Sequence, residues 1–339
     1  MVEPQNASVL KIYIRKSIFQ RLQYFLRIHI LKFLTNIYIR ALNLPLIRDG
    51  SILPTFTKVY PCRPTLTNRV FIPKSYKPDD ALLPLFLDIH GGGFALMAPA
   101  GDDKFCSEFA NKNKVLVVSI DYPKSPAHPY PAGVQAVTDI VKAILEDETL
   151  PFDKNKVAIG GFSAGANLSL AVSQDDSLRE KLRGVVAYYP PVNWTTTLDQ
   201  KLATKPKDSP TDILLSNGPA FDWAYLPPGT DLQDPQLSVA LAPRHQLPQK
   251  LYIIGCELDL LCGDSEVMAE KLANMGIGQR VGTEHVWEQN GVKWEKVLGE
   301  EHGFDVTPAI GAKQVRITKR REKMHNDVAV WLFKEVYTR

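Results

Sequence analysis

Val157-Ala158-Ile159-Gly160-Gly161-Phe162-Ser163-Ala164-Gly165-Ala166-Asn167-Leu168-Ser169-Leu170-Ala171-Val172 decides the fold. Its first residues read as a short buried strand and Ala166 to Val172 as a helix, with Ser163 on the sharp turn between them. A serine held on such a turn has a strained backbone and a hydroxyl pushed clear of the sheet, and the flanking glycines Gly161 and Gly165 let neighbouring segments approach. The helix that follows aims its N-terminal amides at the same point. A Gly-x-Ser-x-Gly match alone is a weak signal, because small residues also fill ordinary loops. Here it is joined by His90-Gly91-Gly92-Gly93, which follows the apolar run Leu85-Phe86-Leu87-Asp88-Ile89. Residues without side chains let backbone N–H groups point into a site where negative charge develops. The pair therefore predicts a nucleophile and a cradle for the anion that it creates.

Working outward, apolar runs at Leu85 to Ile89, Val115 to Ile120, Val157 to Ile159, Gly184 to Tyr189 and Lys250 to Ile254 alternate with segments long enough for crossover helices. That order predicts an α/β fold with a mostly parallel sheet and helices on both faces. Ligands in such folds bind beyond the carboxyl ends of the strands, where His90, Asp121, Ser163, Pro190 and Glu257 fall. Between Val192 and Leu247 the alternation lapses into Pro, Asp, Trp and short apolar clusters, as expected of a cap inserted after a central strand. The apolar pocket residues expected are Phe94, Trp194, Phe221 and Trp223. The reading divides the chain into an N-terminal helical arm, 1–50, and a main domain, 51–339, that carries the cap at about 192–247.

The arm, from Val9 to Leu46, is rich in Ile, Leu, Phe and Tyr but interrupted by Lys11, Arg15, Lys16, Arg21, Arg27, Lys32 and Arg40. No apolar run reaches the roughly 18 to 20 residues of a membrane span. Ile18, Leu22, Phe25, Leu26, His29, Ile30, Phe33, Leu34 and Ile37 recur at helical spacing. The arm is thus an amphipathic helix, broken once, that either packs on the body over the site or lies on a membrane surface. Pro45 and Asp49-Gly50 mark its end, and proline-punctuated edge strands follow to Pro73.

The chain of 339 residues is 45% apolar and 23% charged, which suits a soluble globular protein. A net charge of +3 with no clustered basic and aromatic stripe argues against nucleic acid. Cys62, Cys106, Cys256 and Cys262 lack metal-ligand spacing and read as reduced thiols of a cytoplasmic protein, or of one peripheral on an intracellular membrane. No metal or organic cofactor is expected. The partners expected are a small-molecule ester and a second copy of the chain in a homodimer.

A serine hydroxyl is a poor nucleophile at neutral pH, so it needs a base, and the base needs an acid that orients it. In strand-elbow enzymes these follow the serine in the order acid, then histidine. His285, His302 and His325 lie late enough. His302 is best placed, in the loop Gly299-Glu300-Glu301-His302-Gly303-Phe304 beyond the last strand, Val292 to Leu298. For the acid, Gly255-Cys256-Glu257-Leu258-Asp259 offers Asp259, with Glu257 as its competitor and Asp264 third, as the start of the next helix.

Taken in order, several motifs resemble the hormone-sensitive-lipase-like branch of the α/β-hydrolases, which includes arylacetamide deacetylases and microbial carboxylesterases. They are His90 to Phe94, Asp121-Tyr122 with His128-Pro129-Tyr130-Pro131-Ala132, Gly161 to Gly165, Asp234-Pro235 with Ser238, Leu241 and Ala242, Asp259-Leu260-Leu261, and His302-Gly303-Phe304. The resemblance runs from about Pro84 to the C-terminus and implies an α/β-hydrolase fold with a helical cap. It favours Asp259 as the acid and implies an oxyanion hole of Gly92, Gly93 and Ala164. It further implies hydrolysis of small or medium apolar esters, including acetyl esters of a metabolite, or a related amide, lactone, acyl-transfer or cyclisation reaction. A receptor such as the gibberellin receptor, similar in fold but without the histidine, is the non-catalytic rival. Two departures stand out. The family's arginine and glutamate after Asp-Tyr are Pro123 and Ala127 here, and the connection Gly276 to Asn290 is longer, an expected extension of the pocket wall.

Overall fold

The computed structural model describes residues 17–42, 44, 50–207, 209–307 and 309–338. Lys11, Arg15, Lys16, Pro45 and Asp49, used above to read the arm and its end, lie outside them.

Ten strands form one sheet: β1 (Phe56–Val59), β2 (Thr67–Phe71), β3 (Leu83–Ile89), β4 (Leu116–Ile120), β5 (Phe152–Phe162), β6 (Gly184–Tyr188), β7 (Lys250–Cys256), β8 (Val281–Gly282), β9 (Val286–Gln289) and β10 (Val292–Val297). Their spatial order is β1-β2-β4-β3-β5-β6-β7-β10-β9-β8. From β4 to β10 every neighbouring pair is parallel, while both margins are antiparallel. The apolar runs read as strands are these central members.

Alternation within β3 shows how the sheet builds two cores. Leu85, Leu87 and Ile89 enter one apolar cluster and Phe86 the other, on the opposite face. The first cluster is covered by α3 (Ala132–Leu145), α4 (Ala164–Val172) and α7 (Cys262–Ala273); the second by α2 (Asp103–Asn113) and α8 (Ala312–Trp331). Helix α3 presents Val134, Val137, Ile140, Val141 and Ile144, all buried. Each such side chain contributes roughly 1.5–3 kcal/mol when removed from water, so this one face anchors the helix.

The insertion contains two helices, α5 (Leu198–Ala203) and α6 (Ile213–Tyr225), and short 3-10 turns. A capping box at Thr197 and Gln200 starts α5, and the Asp212 carboxylate accepts the Leu214 N–H at the start of α6. Within the described residues the arm is one unbroken helix, α1 (Ile18–Leu42), contrary to the expected break, since no proline or glycine interrupts it; its Ile28 packs with Ala95, Ala220 and Ala224. Of the two placements considered for the arm, packing over the site region is thus present. Among the described residues no helix is long and apolar enough to cross a membrane.

The long connection Gly276 to Asn290 corrects an expectation. It forms β8 and β9 and extends the sheet margin, with Trp287 opposite Trp294, and it contributes nothing to the pocket lining. The hairpin is mostly polar and exposed, and its one buried side chain, Trp287, packs against the sheet margin opposite Trp294 of β10.

Candidate active site

Because β3, β5, β7 and β10 run parallel, the segments leaving them open at one edge of the sheet. That edge receives the glycine run after β3, Ser163 after β5, Asp259 after β7 and His302 after β10. Ser163 has φ +52° and ψ −115°, and its N–H donates to the Tyr188 carbonyl at 2.9 Å. The strained turn survives because both flanking elements are buried. Gly165 is required there: a Cβ on it would fall inside the Ile89 carbonyl of the neighbouring strand.

His302 joins the nucleophile to the acid. Its Nε2 lies 2.9 Å from Ser163 Oγ and its Nδ1 2.7 Å from Asp259 Oδ2. Asp259 Oδ1 accepts the Leu261 N–H at 2.9 Å. Burial opposes charge on His302, but the Asp259 carboxylate, by its charge and hydrogen bond, and more weakly Asp212 and Asp305, hold its pKa above the ordinary value. The loops carrying acid and base are stitched together. Leu258 N–H donates to the Glu300 carbonyl at 3.0 Å, and Gly299 N–H to Glu257 Oε2 at 2.7 Å.

Glu257 is thereby occupied in the loop rather than on the histidine. Asp264 lies in the first turn of α7, 2.8 Å from Lys201 Nζ. His325 is buried in the second core against Phe105, and burial, with Arg321 and Lys112 nearby, pushes it down to about 3. His285, just before β9, carries its carbonyl to the Lys296 N–H at 2.7 Å, on the sheet margin.

Gly92 and Gly93 adopt φ of +115° and +58°, and Ala164 is the first residue of α4, so its N–H has no acceptor within the helix. Gly93, Ser163 and Ala164 line the pocket together. A Cβ on Gly93 would stand 2.6 Å from the Phe221 ring of the cap, so glycine is what lets α6 close over the turn. Behind it, His90 is stacked on Tyr122 at 4.4 Å, and burial, aided by Lys124, lowers its pKa to about 4. Lys124 Nζ donates to Asp121 Oδ1 at 2.7 Å. It supplies the cation beside Asp121 where Pro123 departs from the family pattern.

The pocket encloses about 650 Å³. Phe94, Trp194 and Phe221 line it with Tyr225, Leu214 and Leu215, and Gln20 and Tyr24 of α1 reach it from the arm. Phe94 stacks on Tyr225 at 3.7 Å, and Trp194 Nε1 donates to Asp222 at 2.9 Å. Trp223 does not line the pocket, contrary to expectation. Two residues beyond Phe221 on α6, its ring is turned to Phe25 of α1, 6.3 Å away, where it serves the packing between cap and arm. Among the described residues no cluster of His, Cys, Asp or Glu has the makings of a metal site.

Sequence reasoning missed Asp212. It lies almost wholly buried in the cap, 3.3 Å from Lys205 Nζ, and its Oδ2 accepts the N–H of Leu260, next to the acid, at 2.6 Å. The signal available was local: an aspartate directly before Ile213-Leu214-Leu215 is a helix N-cap. Tyr130 and Asp234, separate motifs in the sequence, also meet, the phenol donating at 2.6 Å.

A family model described as the alpha/beta hydrolase fold matches residues 86–291. The chain is 28% identical over 204 residues to a versiconal hemiacetal acetate esterase of Dothistroma septosporum, a match covering 58% of this chain and 62% of that one. It is 30% identical over 210 residues to a carboxylesterase of Mycobacterium tuberculosis, covering 60% and 64%. The matched region thus spans under two thirds of either relative. Among solved structures, an α/β hydrolase from the metagenome of Lake Arreo, Spain, superposes with a TM-score of 0.70 at 21% identity, over 97% of this chain and 96% of that one, a likeness of fold. With the family model matching more than half of the sequence and the motifs in the expected order, the chain belongs to the α/β-hydrolase fold family, in its hormone-sensitive-lipase-like branch.

Proposed function

We propose that the protein is a serine carboxylesterase acting on small or medium apolar esters, with acetyl esters of a larger apolar metabolite as the preferred class. The observation that carries the reading is the continuous hydrogen-bond chain from Ser163 Oγ through His302 to Asp259. Ser163 Oγ attacks the ester carbonyl carbon as its proton passes to His302 Nε2. The amides of Gly92, Gly93 and Ala164 receive the oxyanion. Collapse of the intermediate expels the alkoxide, which takes the proton from His302, and leaves an acyl-Ser163. His302 then deprotonates water, which attacks the acyl carbon; as the acyl–Oγ bond breaks, His302 returns the proton to Ser163 Oγ and the carboxylic acid leaves.

Asp259 orients His302 and stabilises its cation during both steps. The apolar pocket lining supports the substrate class, as does the name of the versiconal hemiacetal acetate esterase relative. A receptor would have no need of the three-residue hydrogen-bond chain. The test is fluorophosphonate labelling together with hydrolysis of p-nitrophenyl esters of graded acyl length. Labelling of Ser163 and turnover of the acetyl to hexanoyl members are expected; an unlabelled wild-type protein that binds esters without turnover overturns the reading in favour of a receptor. Incorporation of labelled water oxygen into the acid product separates hydrolysis from acyl transfer.

A further inference from the structure

Helix α1 is apolar on two opposite faces. Its inner face, around Tyr24 and Ile28, packs on α6 and on Ala95 and Leu96 after the glycine turn. Phe19, Leu22, Leu26, Ile30, Phe33 and Ile37 recur at steps of three and four residues on the other side, all exposed, Phe19 by 67% and Phe33 by 65%. They form a stripe about 27 Å long at 1.5 Å per residue. Surfaces of soluble proteins rarely expose apolar area this continuous without using it.

Charge identifies the occupant. Residues 1–48 hold eight lysines and arginines against Glu3 alone, although the whole chain is only +3, so the rest of the molecule is net negative. Helix α1 itself contains no acidic residue; Arg40 is exposed beside the stripe, while Arg21, seven residues before Ile28, stands on the inner side and Arg27 Nε donates to Asn217 of the cap at 3.0 Å. A two-fold interface through this stripe would set two all-basic helices against each other, which like-charge repulsion opposes. An anionic lipid surface satisfies both features at once, taking the apolar stripe into its acyl boundary while its headgroups meet Arg40 and the net positive charge of the arm.

We propose that the outer face of α1 docks the protein on an anionic membrane surface. Gln20 and Tyr24 of the same helix line the pocket, so docking sets the pocket mouth beside the lipid phase, where apolar esters concentrate. That last consequence rests on the esterase reading; the docking does not.

Flotation of the full chain with phosphatidylcholine vesicles, with and without 30 mol% phosphatidylglycerol, tests it (roughly the range in which surface charge acts). Wild type is expected to float with the anionic vesicles at least about tenfold better than with neutral ones, and high salt to weaken this. Phe19→Glu with Phe33→Glu, both exposed and outside the pocket, is expected to abolish flotation while leaving hydrolysis of a water-soluble acetyl ester and the melting temperature unchanged. Failure of the wild type to float, or equal flotation of the variant, overturns the proposal. So does a concentration-dependent dimer, seen by ultracentrifugation and lost in the same variant, which would make a second copy the occupant. An inactive wild type that still floats would sink the esterase reading alone.

Discussion

The Asp212 carboxylate of the cap accepts the backbone N–H of Leu260, the residue after the catalytic-acid candidate Asp259, at 2.6 Å. One carboxylate therefore ties the cap to the acid loop. The same carboxylate caps α6 through Leu214 and pairs with Lys205, so its position is set from three directions.

Asp212→Asn removes a charge that helps hold His302 protonated and leaves one acceptor oxygen for two N–H groups. Removing a negative charge lowers the His302 pKa, and the neutral imidazole is the base, so the acid limb of the kcat/KM profile should move to lower pH. In the wild type that limb should lie above the ordinary histidine value, because Asp259 raises it. A fall of roughly tenfold in kcat at the optimum is expected from the loosened loop. An unmoved pH limb would reduce Asp212 to a structural cap.

Gly93→Ala tests the contact between glycine turn and cap. Its Cβ would collide with the Phe221 ring at a φ that alanine resists, displacing an oxyanion donor. Activity on p-nitrophenyl acetate should fall on the order of 10²-fold. Adding Phe221→Ala should recover part of it, by relieving the collision while the backbone strain persists.

Trp287→Ala separates the sheet margin from the pocket. Trp287 is buried opposite Trp294, with Arg280 4.0 Å above its ring. Urea denaturation should register a loss of about 3–5 kcal/mol, with KM for a short ester unchanged. A changed KM with unchanged stability would return the hairpin to the pocket.

His325→Phe should make the protein more resistant to acid. His325 is buried neutral with a pKa of about 3, well under the value of about 6.5 in the unfolded chain. Protons then bind the unfolded state preferentially between those values, so wild-type stability is complete above about 6.5 and is lost as pH falls below it. Urea midpoints at pH 7 and pH 5 should show the wild type losing up to about 2 kcal/mol more than the variant.

Much of the molecule was legible because its signals are local. A buried strand, a glycine-flanked turn and an apolar helix are contiguous around Ser163, and their backbone geometry follows from those residues alone. The parallel core follows similarly from the alternation of apolar runs with helix-length segments. Trp223 shows where such reasoning stops. Its composition matches that of Phe221, but two residues along α6 turn a side chain by about 200°, so one ring meets the pocket and the other meets Phe25.

The order of the motifs, the strand-turn-helix at Ser163 and the place of His302 in the loop after the last strand were legible in the sequence, since each depends on residues adjacent in the chain, whereas the preference for Asp259 over Glu257 came from the resemblance. Tertiary structure alone decided that Asp212 reaches Leu260, that Gln20 and Tyr24 of the arm line the pocket, and that the 276–290 hairpin completes the sheet. The physical reason is packing. Those contacts join segments tens to hundreds of residues apart, and which faces meet is settled by burying apolar area and satisfying buried polar groups across the whole molecule.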